Sequence, residues 1–251
     1  MQHIRAQHQE RRIKLVCKTA HLVLILYDDF NGKCIKNGGQ VFTINGRILA
    51  PILKPEGFYV FTGPADPVET VTITGGQYVP VTIRVDGHTL DPSFPVMHIR
   101  LMRKPHAGFP DCEYLEGYAR PGCTVYALKQ GQTENRLLAM HETPDGTAVA
   151  FSGYFPEPAE YTRFMIGTGA EQELLLTGEY LPQEKTYLLA EKLQRTHSPG
   201  EPVVRAWAAQ CGTDGFYSIP VEKGQIEKIE QLLFYDKEAK QWDCLSVTAH
   251  K

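Results

Sequence analysis

The chain has 251 residues, 42% hydrophobic and 22% charged, with a formal net charge of -3. That length suits one large or two to three small domains with real cores, and the charge excludes a nucleic-acid binder that works by phosphate neutralisation, which needs a cationic excess. Its 22 glycines and 17 prolines are spread along the sequence, a distribution that fits short strands joined by turns better than long helices.

Residues 1–19 carry Arg5, Arg11, Arg12, Lys14 and Lys18 against Glu10 alone, a net charge of +4. Two readings stand: a loosely ordered terminus, or a basic arm that docks on an acidic partner. The longest apolar run, residues 22–27, is far short of the ~20 residues of a membrane helix. Asp28-Asp29 closes that run, and no small-residue cleavage site accompanies it, so it does not read as a secretory signal. The expectation is a cytoplasmic protein without membrane insertion.

Residues 20–104 read as one β-domain. Val79, Val81, Ile83 and Val85 alternate with Pro80, Thr82, Arg84 and Asp86, the period of a half-buried strand. Val71 and Ile73 alternate with threonines, and Met97, Ile99 and Leu101 with His98, Arg100 and Met102. Asn31-Gly32, Asn37-Gly38-Gly39, Asn45-Gly46, Gly75-Gly76 and Asp86-Gly87 supply turns at the spacing of a small sandwich.

Within this domain, Asp29-Phe30-Asn31-Gly32-Lys33-Cys34-Ile35, Gly39-Gln40-Val41, Glu56-Gly57-Phe58-Tyr59-Val60-Phe61, Val71-Thr72-Ile73 and Gly76-Gln77-Tyr78 occur in that order. Together they resemble the carboxypeptidase regulatory-like domain, a transthyretin-like β-sandwich, over about a third of the chain. Cys34 stands where that pattern has a small residue or proline and Gln40 where it has alanine, and Pro64-Ala65-Asp66-Pro67 replaces its glycine-centred turn, which bears on register more than on fold. The resemblance implies a non-catalytic scaffold, adaptor or surface module. A looser likeness is to accessory proteins of phage-tail-like contractile injection systems.

Residues 104–111 hold two prolines and a glycine and read as a linker. Residues 117–251 form a second β-rich region, either undivided or split near 182 into an Ig-like module and a second regulatory-like module. Pro121-Gly122 ahead of Val125 resembles bacterial Ig-like domains. Thr213-Asp214-Gly215-Phe216-Tyr217 echoes the acidic-Gly-Phe-Tyr turn at Glu56. Either the unit is repeated, or the same turn chemistry is used twice, glycine taking φ > 0 ahead of a strand that covers the core. Residues 225–236 carry helical spacing at Ile226, Ile229, Leu232 and Leu233, yet with residues 242–247 they also read as a hairpin, the form expected in a β context. The fold class expected is therefore all-β: two to three small antiparallel β-sandwich modules, transthyretin-like or Ig-like, in tandem.

Catalytic chemistry finds little support. Asp28, Asp29 and Asn31 lack the spacing of a calcium loop and fit a turn after a strand. His141-Glu142 has Asp145 where a zincin helix needs its second histidine, and Pro144 breaks the helix. Ser152 lacks the upstream glycine of a nucleophile elbow, and Gly75-Gly76 precedes no helix that could receive phosphate. The six cysteines (Cys17, Cys34, Cys112, Cys123, Cys211, Cys244) include no closely spaced pair, which argues against zinc. Buried reduced thiols are the plainer reading, although an even count also allows disulfides. Phe58, Tyr59, Phe61, Phe216 and Tyr217 could form a sugar-stacking platform, but alternation assigns one face of each strand to the core.

The sequence thus assigns no catalytic, cofactor or metal residue. It leads to a non-enzymatic structural or adaptor protein that contacts other proteins of a larger cytosolic assembly, a contractile tail-like particle being one candidate by resemblance. The alternative is a carbohydrate- or other ligand-binding sandwich. Partner identity, binding face and oligomeric state are not in the sequence.

Overall fold

The computed structural model describes residues 19–36, 39–64, 66–129, 135–144, 146–152, 160–169, 172–236, 239 and 241–246. The basic arm expected over residues 1–19 lies outside them, apart from Thr19. Strands make up 60% and helix 3% of the structure, so the all-β expectation holds.

Eight strands build the N-terminal sandwich: β1 (Ala20–Asp28), β2 (Gln40–Ile44), β3 (Arg47–Leu49), β4 (Ile52–Leu53), β5 (Phe58–Thr62), β6 (Val68–Gly75), β7 (Val81–Asp86) and β8 (Val96–Leu101). One sheet has the order β4-β5-β1-β8, the other β3-β2-β6-β7. Leu22, Leu24 and Leu26 of β1 meet Phe42, Ile44, Val71 and Ile73 of the facing sheet in one core. The threonines of β6 and β7 lie on the other face, where the Thr72 and Thr82 hydroxyls pair at 3.0 Å. Val23, Ile25 and Tyr27 are buried on the opposite face of β1. A strand covered on both sides reads as an unbroken apolar run, which explains why residues 22–27 do not alternate.

One pairing departs from the antiparallel expectation. β8 runs parallel to β1, with Val23 opposite Val96 and Asp28 opposite Leu101. β7 ends on one sheet, so the chain crosses through residues 87–95 to reach the other, and it enters beside β1 in the same direction.

Eleven further strands follow: β9 (Cys112–Tyr118), β10 (Thr124–Lys129), β11 (Arg136–Thr143), β12 (Gly146–Ser152), β13 (Arg163–Ile166), β14 (Glu173–Leu181), β15 (Thr186–Leu189), β16 (Val203–Gln210), β17 (Phe216–Glu222), β18 (Ile229–Asp236) and β19 (Gln241–Ser246). Nine form one sheet in the order β11-β12-β15-β14-β13-β16-β10-β18-β19, while β9 and β17 pair separately as a ribbon. Residue 182 falls between β14 and β15, which pair with each other through Tyr180 and Tyr187, so the sheet continues through that position.

The middle of the large sheet is buried on both faces. Val125 and Ala127 of β10 pack with Trp207, Ala209 and the ribbon residues Tyr217, Ile219 and Val221. Tyr126 and Leu128 pack on the other side with Met165, Ala206 and Ala208. A third cluster, including Leu137, Val149, Phe164, Ile166 and Leu175, holds the β11 to β14 end. The helical spacing near residue 226 yields only a 3-10 turn at Ile226–Lys228. β18 then turns back along β19, with Leu232 opposite Leu245, and Leu232 and Leu233 enter different cores. The hairpin expectation is the one the backbone follows.

Candidate functional site: an open sandwich flank and a buried charged joint

Six consecutive apolar residues, Ile48-Leu49-Ala50-Pro51-Ile52-Leu53, occupy β3, β4 and the link between them. β3 is the outer strand of one sheet and β4 the outer strand of the other. Among the described residues, the stretch therefore runs from the free edge of one sheet to the free edge of its partner. Ile48 lies opposite Thr43 and Ile52 opposite Val60, on the outer faces. Leu49 lies opposite Phe42 and Leu53 opposite Tyr59, on the faces that close over the core. Even these inward residues are 40% and 45% exposed, and Ile48 is 76% exposed. An exposed run of this kind is a design error unless something covers it, and free edges carry unpaired backbone N–H and C=O groups as well.

The opposite end of the sandwich is sealed by charge. The end of β1 turns at Asp28-Asp29-Phe30, all three buried. Asp28 accepts from Arg103 Nε (2.9 Å) and Nη2 (2.8 Å), from the Phe30 N–H (2.9 Å) and from the Tyr78 hydroxyl (3.1 Å). Arg103 also pairs with Asp111 through Nη1 (2.6 Å), and its guanidinium lies between the rings of Phe30 (4.1 Å) and Phe109 (3.9 Å). Asp29 sits between Arg100 Nη2 (2.7 Å) and Arg163 Nη1 (2.6 Å). Three carboxylates thus meet three guanidinium groups, drawn from β1 and the turn after it, β8 and the segment after it, and β13.

Electrostatics agree with that pairing. Burial alone would raise the Asp29 carboxyl, but Arg100 and Arg163 outweigh it and hold it below the usual carboxylate range. The Arg103 hydrogen bonds hold Asp111 low as well. Burial pushes Arg100 down to about 10, which leaves it charged at neutral pH. Phe30 itself belongs to the core under the large sheet, and its carbonyl accepts from Arg205 Nη2 at 2.7 Å. The stretch expected to be a linker is tied down too: the Lys104 N–H bonds the Gln77 carbonyl at 2.8 Å, and Asp111 and Phe109 hold Arg103.

The remaining sequence candidates separate clearly. Asn31 accepts from the Lys33 N–H at 3.0 Å, a turn contact, and Asp28 and Asp29 are committed to arginines. His141 lies on β11, exposed, with Nε2 3.4 Å from Glu184, and Glu142 accepts from the Thr147 hydroxyl. Ser152 Oγ accepts from the Arg136 N–H at 3.2 Å. Of the five aromatic platform residues, Tyr59, Phe61 and Tyr217 are buried in cores. Phe216 instead meets Tyr118 edge-on, ring centroids 5.5 Å apart, with Tyr118 77% exposed. Cys123 and Cys211, distant in sequence, lie together with sulfurs 3.2 Å apart. The open flank carries no alternation signal, although its apolar run at 48–53 stands in the sequence, because β3 and β4 are only 3 and 2 residues long.

No family model matches the chain, and no curated protein matches it in sequence. Among the described residues, no helix is long and apolar enough to cross a membrane.

Proposed function

We propose that this chain is a non-enzymatic adaptor or structural protein of a larger cytosolic assembly, and that the β3/β4 flank is its contact surface. The observation that carries the reading is the exposure of Leu49 and Leu53, residues that face the core yet are left uncovered. A partner strand laid along β3 or β4 would satisfy the free backbone groups and cover the leucines, the mode known as strand addition. Covering Ile48, Leu49, Ile52 and Leu53 is worth on the order of 4 kcal/mol, taking about half of a full side-chain burial for each.

The regulatory-like resemblance supports a scaffold role, and the looser likeness supports a contractile tail-like particle as the assembly. The basic arm is a second tether in this reading. Recovery of partners from the protein's own host tests it, comparing tagged wild type with Ile48→Lys/Leu53→Lys. Proteins retained by the wild type and lost from the variant support the flank. The same proteins in both move the contact elsewhere, and no retained protein in either rules against the assembly.

A carbohydrate-binding reading draws on one observation, the exposed Tyr118 with the half-buried Phe216 packed edge-on against it. A glycan-array signal that disappears in Tyr118→Ala would favour it.

A further inference from the structure

We propose that Cys123 and Cys211 form a reversible intramolecular disulfide, a redox-modification site at the base of the large sheet. β10 and β16 are antiparallel neighbours in which Thr124 faces Gln210 and Val125 faces Ala209. One step further, the same register sets Cys123 against Cys211. The Cys211 N–H bonds the Cys123 carbonyl at 2.9 Å, half of the exchange seen in a hydrogen-bonded antiparallel pair, whose Cα atoms lie about 5.5 Å apart. Disulfides favour Cα separations of about 5.5–6 Å. Both side chains point to the same side, since Cys123, Val125, Ala127, Trp207, Ala209 and Cys211 share one core. The sulfurs are already 3.2 Å apart, so closure to a bond of about 2.05 Å needs a shift of roughly 1 Å.

Both thiols are buried, but Pro121 and Gly122 precede Cys123 and Gly212 and Thr213 follow Cys211, all four exposed. The pair lies one residue below two surface turns, where local opening is easiest. Strands β11 to β15 are inserted in the chain between the two cysteines, which are 88 positions apart. A bond there ties off that entire lobe at its root, and long loops gain most from closure.

The oxidant is a small disulfide such as oxidised glutathione. One protein thiolate attacks its sulfur, forming a mixed disulfide and releasing one glutathione thiolate. The second protein thiolate then attacks the protein sulfur of that mixed disulfide and expels the other glutathione. Two electrons leave the cysteine pair to reduce one glutathione disulfide, and the two thiol protons end on the two glutathione thiols. Burial first, then the hydrogen bond to Cys123, pushes the Cys211 thiol up to about 12. Exchange is therefore slow at neutral pH and speeds up as pH rises.

The test equilibrates the full-length protein with oxidised and reduced glutathione at pH 8.5, both by native incubation and by refolding from denaturant, followed by acid quench, alkylation and peptide mapping. The expected result is loss of two hydrogen masses, two of the six cysteines closed to alkylation, and one cross-linked peptide joining residues 123 and 211. Melting temperature should rise by roughly 5–10 °C on oxidation and fall back with reductant. C123A and C211A should each abolish the rise, while C112A keeps it. The inference is overturned if both thiols stay free by either route, if either carries glutathione without cross-linking, or if the cross-link joins other cysteines. The wild-type peptide map decides even where a variant fails to fold.

Discussion

The two flanks of the N-terminal sandwich are finished in opposite ways. At the β8 end, Asp28, Asp29, Arg100 and Arg103 interlock with Asp111 and Arg163, and Tyr78, Leu90 and Met97 pack over the core. At the β3/β4 end the core-facing leucines reach the surface, 40% and 45% exposed, with none of the described residues closing over them. A buried charged cluster is weak evidence for net stability, but it is costly to break and unforgiving of misplacement. An apolar rim is tolerant of change and unsatisfied in water. One flank is therefore suited to hold a fixed geometry and the other to receive a partner, and each side of that contrast can be broken separately.

The largest effect should come from Asp29→Asn, which leaves Arg100 and Arg163 facing each other without their carboxylate. Loss of about 3–5 kcal/mol of folding stability is expected, measured by denaturant titration; a loss under ~1 kcal/mol would mean that the joint is not a unit. Acid should act on the same place. Asp29 and Asp111 titrate below their ordinary value in the folded state, so their contribution is present above the unfolded carboxylate pKa. It is lost as pH falls below about 4. Asp29→Asn should flatten that part of the stability–pH curve, and an unchanged acid limb would contradict the assignment.

Gly57, at the turn between β4 and β5, sharpens the contrast from the open side. Its φ is +96°, and a Cβ there would lie 2.5 Å from Cys34 Sγ. Gly57→Ala should cost about 1–3 kcal/mol, seen as a lower denaturation midpoint. Gly215, the matching turn ahead of β17, would place its Cβ 2.3 Å from the Ala119 carbonyl oxygen, a backbone atom less able to yield, so Gly215→Ala should be the worse of the two. The smallest change in stability belongs to Ile48→Lys, within about 0.5 kcal/mol because the side chain touches little. That same substitution should remove most partner recovery.

Much of the sandwich was legible because its cues are local. The alternation of β6 and β7 and the glycine turn before β5 each need only a few neighbouring residues. The joint was not legible, since Asp29 and Arg163 are 134 positions apart and no motif links the two. Asp28-Asp29 did read as a turn, which is half of its use. The large sheet was hidden for a related reason: β10 lies between β16 and β18, strands far downstream, and pattern alone gives no register at that range. Residues 226–233 show the converse limit, where helical spacing arises by chance because β18 feeds apolar side chains to both faces.

Phe30 and its two acidic neighbours make the sandwich impossible to lift out cleanly. A fragment ending at residue 104 would carry away Asp29 without Arg163, Phe30 without its pocket, and Arg103 without Asp111. Transplanting another sandwich into this position would fail for the same reason unless it brought the same three residues at the end of its first strand. The unit that evolution or an engineer can exchange here is the whole chain from β1 through β18, even though the sequence suggests a join near residue 104.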